Sequence, residues 1–164
     1  MQNAKDTFYT MLQSRLAALN PSRTIVVRGV LRPGTLVAEN ELPTVSIPTG
    51  AFRLEWTKLH ITAASPLPWV AMECDLHYAT DGTAANAGMD RGRALAAMDA
   101  ELSAALAAEP HSIPKMNYTG AAPTTMATNV FWADPVFSPA TAEDERLART
   151  ATVQVFAYQE AGEL

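Results

Sequence analysis

Phe8, Met11, Leu12, Leu16 and Leu19 fall on one face at helical spacing, which predicts an amphipathic helix over 3–19. Asn20-Pro21 ends it, because a residue before proline is pushed out of helical backbone. "RTIVVRGVLR" is a β-branched run and reads as a strand. "PGTLVAENE" is turn-rich. "LPTVSIP" reads as a short extended piece, and its two prolines confine it to an edge or to strand ends. "AFRLEWTKLHITAA" alternates from Phe52 through Leu54 to Trp56, then changes phase to Leu59, Ile61 and Ala63. Such a switch predicts a bulge or turn near Thr57-Lys58.

After "SPLP", the strand 69–78 places Val70, Met72, Cys74, Leu76 and Tyr78 on one face. "ATDGTAAN" links it to a helix from about 87 to 108, striped by Arg91, Leu95, Met98, Leu102 and Leu106 and filled with alanine, the best helix former. Residues 111–127 show no period and read as a long loop of the functional or mobile kind. "TNVFWADPVF" and "RLARTATVQVFAYQE" read as strands, and "SPATAEDE" between them predicts a protruding hairpin with Glu143, Asp144 and Glu145 at its tip. The order predicts an α+β fold: a mainly antiparallel sheet of about four to six strands, packed with an N-terminal helix and one long central helix. The expected organisation is a single domain over 1–164 with protruding loops about 111–127 and 138–145.

Composition narrows the function. The chain is 48% hydrophobic and 18% charged over 164 residues, too apolar for disorder. Its formal charge of -5 lacks the basic surplus of a protein built to grip phosphates, so tight nucleic-acid binding is not expected. Cys74 is the single cysteine, which rules out an intrachain disulfide and suits a reducing compartment. Gln13, Ser14 and Arg15 interrupt the apolar run of the N-terminus, so no signal peptide is expected. No stretch reaches the roughly 18 apolar residues of a membrane span. The expectation is a soluble product of the cytosol with no membrane association.

Glu73, Cys74, Asp75 and His77 crowd into one strand and invite a metal or catalytic reading. Alternation separates them: Cys74 belongs to the apolar face, and Glu73, Asp75 and His77 to the other. Glu73 and His77 are roughly 13 Å apart at strand rise, too far for one ion, and Asp75 and His77, about 7 Å apart, lack an identifiable third ligand. No P-loop, G-x-S-x-G, H-E-x-x-H or C-x-x-C occurs. His60, His77 and His111 lie in separate elements. No catalytic, metal or cofactor-binding residue is therefore assigned, and an enzyme is not expected. Among the tryptophans, Trp56 and Trp132 read as core, whereas Trp69 shares parity with the polar face and is a candidate to cover the edge of the second helix or to meet another chain. Met116 and Tyr118 in the 111–127 segment, and Glu143, Asp144 and Glu145, complete the candidate interface.

Several phrases carry a resemblance: the short N-terminal helix, the acidic residue before the proline-containing "ELPTVSIPTGAF", "WVAMECDLHY" feeding "AGMDRGRALAAMDAELSAAL", and the aromatic-ended "ATVQVFAYQE". From about Asp6 to Glu160 the chain resembles the tail terminator (tail-tube capping) proteins of long-tailed phages, the family of phage lambda's minor tail protein U. The resemblance implies a small α/β structural protein of a phage or prophage, without cofactor. Six copies would form a ring that stops tail-tube polymerisation. Its partners would be itself, the tail tube protein and a head-side connector protein. It would reside in the host cytoplasm during assembly and then in the virion tail. The segments 111–127 and "ASPLP" are longer than this pattern, and the long helix is poor in bulky side chains. Two alternatives stay open: another head–tail joining or neck protein, and a small-molecule-binding or enzymatic α+β domain with a site under 111–127.

Overall fold

The computed structural model describes residues 1–41, 48–63 and 67–163. The chain opens with α1 (Gln2–Leu19), followed by β1 (Thr24–Val27), β2 (Val30–Pro33), β3 (Thr35–Val37), β4 (Phe52–Thr62) and β5 (Trp69–Thr80). A 3-10 turn at Ala84–Asn86 leads to α2 (Arg91–Ala107). The remainder is β6 (Ser112–Asn117), β7 (Thr124–Trp132), β8 (Val136–Phe137), β9 (Thr141–Glu143) and β10 (Arg146–Tyr158). The fold is α+β, with an 8-stranded, mostly antiparallel sheet ordered β3-β4-β5-β10-β7-β6, and β1-β2 as a separate hairpin. β8 and β9 also pair with β10. The sheet exceeds the expected strand number. No helix dominates either, because α1 has 18 residues and α2 has 17.

β5 and β10 form the antiparallel spine, in register from Leu147↔Thr80 to Tyr158↔Trp69. Both alternate, and their inward faces carry Val70, Met72, Cys74, Leu76 and Tyr78 against Ala151, Val153, Val155 and Ala157. The helices cover this face. α1 buries Phe8, Met11, Leu12 and Leu16, and α2 buries Leu95, Met98, Leu102 and Leu106. Leu19, expected on the buried stripe, is instead exposed at the end of α1. α2 ends without a glycine cap; Arg15 of α1 donates to the carbonyls of Ala105 and Ala108 at 2.8 and 3.2 Å, supplying partners to helix-end acceptors. Trp132 fills the space beneath and donates its Nε1–H to the Leu106 carbonyl at 2.9 Å, so its one polar group is satisfied in the core.

Three segments depart from the sequence expectations for physical reasons. "RTIVVRGVLR" is a hairpin, not one strand: Arg28 and Gly29 take φ of 50° and 78°, the left-handed pair of a two-residue hairpin turn. Residues 111–127 are not a loop but the β6–β7 hairpin, with a register shift between Pro114 and Met116. Within 138–145 the expected acidic turn joins β9 to β10, with Glu143 opposite Arg146, but β9 is also the last piece of a broken partner strand. β7, β8 and β9 follow β10 in succession, opposite Val155–Ala157, Ala151–Thr152 and Arg146–Ala148. Pro135 and Pro139 fall at the two breaks, where a missing N–H interrupts a ladder. The bulge expected near Thr57-Lys58 is present, with the β4–β5 register shifting between Trp56 and Lys58. The piece "LPTVSIP" lies almost wholly outside the described residues, as does part of "ASPLP".

Candidate functional site

The outward face of the sheet, opposite the helices, has two halves. On the β5–β10 spine, polar side chains bond across strands in rows. Gln154 Nε2 donates to Glu73 at 2.7 Å, Thr152 Oγ1 donates to Asp75 at 2.6 Å, and His77 Nδ1 lies 3.0 Å from Thr150 Oγ1. Lys58 closes the first row with an ion pair to Glu73 at 2.9 Å, which holds the Glu73 carboxyl below its ordinary range and raises the Lys58 ammonium. Glu55 lies 3.4 Å from His77 Nε2 and 3.5 Å from Arg53. Each candidate ligand thus has a cross-strand partner of its own. Among the described residues, no three His, Cys, Asp or Glu side chains converge as a metal site. Cys74 is fully buried on the opposite face, and burial pushes its thiol strongly up, away from the thiolate that nucleophilic or ligand chemistry uses.

The other half of this face is aromatic. Trp69 stacks on Phe156 with ring centroids 5.6 Å apart and meets Tyr158 edge-on at 4.7 Å, with Phe131 at 6.4 Å. The parity that singled out Trp69 in the sequence is therefore real, but its neighbours are aromatics of β7 and β10 rather than the second helix. Phe156 and Tyr158 share one parity in "VQVFAYQ", a signal that sequence reasoning passed over.

The structure does not gather the other candidates around Trp69. Glu143, Asp144 and Glu145 are exposed at the β9–β10 turn, and Asp144 is left-handed with φ 54°. This turn opens β10, whereas Trp69 pairs with its last residue, a separation of roughly 40 Å at strand rise. Met116 and Tyr118 lie at the sheet's other edge, half-buried and tied to α1. The Met116 N–H donates to Thr7 Oγ1 at 3.0 Å, and the Tyr118 N–H donates to Asn3 Oδ1 at 3.3 Å.

Sequence reasoning missed Lys115, which has no exposed side-chain surface. Its ammonium donates to the Tyr158 carbonyl and to Glu163, both at 2.6 Å, and lies 3.6 Å from Glu160. A buried cation needs such a cage. Glu160 in turn accepts from Thr128 Oγ1 and N–H at 2.7 and 2.9 Å. Burial works to raise its carboxyl, but these hydrogen bonds and the charge of Lys115 outweigh burial and hold it below its usual range.

Sequence reasoning also missed Arg23. Its guanidinium grips Glu101 of α2 through two bonds of 2.7 Å and donates to the Gly50 carbonyl at 2.8 Å. Asn20 donates to the same carboxylate at 2.8 Å. Beside it, the Gly34 N–H reaches the Arg23 carbonyl at 2.8 Å, and a Cβ on Gly34 would stand 2.9 Å from Arg23 Cγ. The base of the β1–β2 hairpin is thereby fastened to the body.

Among known proteins, no family model matches the chain, and no curated protein matches it. Among the solved chains that match is one similar over most of its length. It comes from a structure described as the virion of a native gene transfer agent (GTA) particle, at 12% identity and a TM-score of 0.37, covering 90% of this chain and 95% of that one. At that TM-score the likeness carries no argument about function. Among the described residues, no helix is long and apolar enough to cross a membrane.

Proposed function

We propose that this chain is a structural protein of a phage-like virion, and more specifically a tail terminator: a non-enzymatic ring that seats on the end of the tail tube and stops its growth. The observation that carries the reading is the fate of the two segments on which the sequence resembles that family. "WVAMECDLHY" and "ATVQVFAYQE" become neighbouring strands, paired from Trp69↔Tyr158 to Leu76↔Ala151 in the spine of the sheet, and the long helix that follows the first packs back onto both. The resembling parts thus form one physical unit. Its charged groups are tied into cross-strand rows and helix clamps rather than drawn to a common point, an arrangement suited to a rigid building block. The proposed partners are further copies of the chain, the tail tube protein and a head-side connector.

The test is functional. Purified protein is added to growing tail tubes, and tube length is followed by electron microscopy. Growth should stop, with a ring visible at the tube end. Tubes that elongate unchanged in the presence of excess protein would overturn the reading.

A further inference from the structure

The two edges of the sheet are finished differently. β6 is edged by α1, whose Thr7 and Asn3 take up outward N–H groups. At the opposite edge, β3 pairs with β4 only at Phe52–Leu54. Among the described residues, β4 from Glu55 to Thr62 has no strand on its outer side. On the inward-facing parity of this stretch, opposite Met72 and Val70, Leu59 and Ile61 are 49% and 43% exposed. Lys58 stands on the other face of the strand, opposite Glu73 with which it pairs, rather than beside Leu59 and Ile61.

A second apolar surface lies elsewhere. On the β1–β2 hairpin, Val26 and Leu31 are direct cross-strand partners, and they are 63% and 66% exposed. Ile25 and Val27 have the opposite parity and are half-buried, and with Val26 itself they border a cleft that Leu36 and Pro48 also line, so the hairpin sits beside the β3 end of its own β4. Apolar residues scattered singly on a surface need no explanation, but a matched pair on a fastened hairpin does. A strand pair with open outer edges is a ready donor for sheet extension.

We propose that the β1–β2 hairpin of one copy adds to the Glu55–Thr62 edge of β4, open among the described residues, in a second copy, continuing the sheet from subunit to subunit. With β1 antiparallel to that edge, Val26 and Leu31 fall on the side of Leu59 and Ile61. The Arg28 turn then falls at the Glu55 end, where a half-exposed carboxylate is held only at 3.4–3.5 Å. Sign and shape agree. Pairing β4 with β4 about a twofold axis would instead leave the exposed Val26 and Leu31 of both copies uncovered. Donor and acceptor are different surfaces, so the contact is head-to-tail and propagates to a ring or a filament. It deepens the tail-cap reading and rests on it only for closure into a ring.

The test uses two variants of the full chain. Val26→Lys with Leu31→Lys spoils the donor; Leu59→Lys with Ile61→Lys spoils the acceptor, with threonine replacing lysine if that variant does not fold. Wild type should sediment as concentration-dependent oligomers. Each variant should keep the wild-type circular dichroism and remain a monomer. The two mixed should form a one-to-one pair and nothing larger, since one good donor meets one good acceptor. A wild type monomeric at every concentration, a variant that assembles like wild type, or a mixture that does not pair would overturn the contact. Wild type that assembles through it yet leaves tube growth unchanged would overturn the tail-cap reading alone.

Discussion

The β6 edge and the β4 edge belong to one sheet but solve opposite problems. At β6 the backbone is edged by side chains of α1, and the strand's inward position at Lys115 is locked by Glu163, Glu160 and the Tyr158 carbonyl. The N–H groups of Met116 and Tyr118 and the Lys115 ammonium are all satisfied within the chain. At β4 the first three residues pair with β3, and the rest carries apolar side chains toward solvent. An exposed edge is a hazard that folded proteins manage. Here one edge is managed internally, and the account leaves the other to a neighbouring copy. Mutations at the first edge should therefore cost folding, and mutations at the second should cost assembly.

The largest expected effect is at Lys115. Lys115→Met leaves buried Glu163, whose side chain is only 4% exposed, with the Met1 ammonium at 3.9 Å in place of the cation that bonds it at 2.6 Å. Unfolding in urea should show a loss of about 3–5 kcal/mol, the range for breaking one side of a buried ion pair. Adding Glu163→Gln should restore part of it. A loss no greater than that of a surface change would mean that the β6 edge is not locked in this way. Next is Thr7→Val, which keeps the shape and removes the hydroxyl that accepts the Met116 N–H. An orphaned N–H costs about 1–3 kcal/mol, and the Met116 amide should exchange with deuterium faster. A variant with wild-type stability and exchange would remove α1 as the edge cap.

Acid tests the clamp at the hairpin base. Burial works to raise the Glu101 carboxyl, but hydrogen bonds from Arg23 and Asn20 and the charge of Arg23 outweigh it and depress it below its ordinary 4.5. A depressed carboxyl contributes stability above its unfolded value and loses it as pH falls through the folded one. Melting temperature should therefore drop as pH is lowered below about 4.5, and Glu101→Gln should flatten that part of the curve. An unchanged curve would show that Arg23 does not hold the hairpin through this carboxylate. The smallest effect on folding belongs to the open edge: Leu59→Lys with Ile61→Lys should change monomer stability by about 0.5 kcal/mol or less per site, as surface sites do. A cost of several kcal/mol in the monomer would mean that these side chains already serve its core.

How much of this was legible in the sequence depended on whether a segment's pattern was set by its own two faces. α1, α2 and β5 have one buried face each, and their periods gave the helices and the Val70-to-Tyr78 parity directly. The bulge in β4 was legible as a phase switch. β6 was not, because the inward position between Ile113 and Asn117 is a lysine, so a buried residue reads as a polar one. The β1–β2 turn was hidden because Arg28 stands where asparagine, aspartate or glycine usually marks a left-handed position. "TNVFWADPVF" reads as one strand, which Pro135 breaks into β7 and β8, and the acidic turn after "SPAT" was legible, but Pro139 hid that Thr141–Glu143 continues the same partner of β10. Of the candidate surface, Trp69 was found by parity alone. The β4 edge, open among the described residues, was beyond reach, since it is a property of strand order, which no local pattern contains.

The most direct measurement of the contrast between the two edges is amide hydrogen exchange, read residue by residue in dilute monomer and in the assembled state. The account predicts that Met116 and Tyr118 are protected in both. The outward-pointing amides between Thr57 and Ile61 should exchange rapidly in the monomer and become protected on assembly, together with those of the β1–β2 hairpin. Protection of the Thr57–Ile61 amides already in the monomer, or exchange there that assembly leaves unchanged, would contradict it.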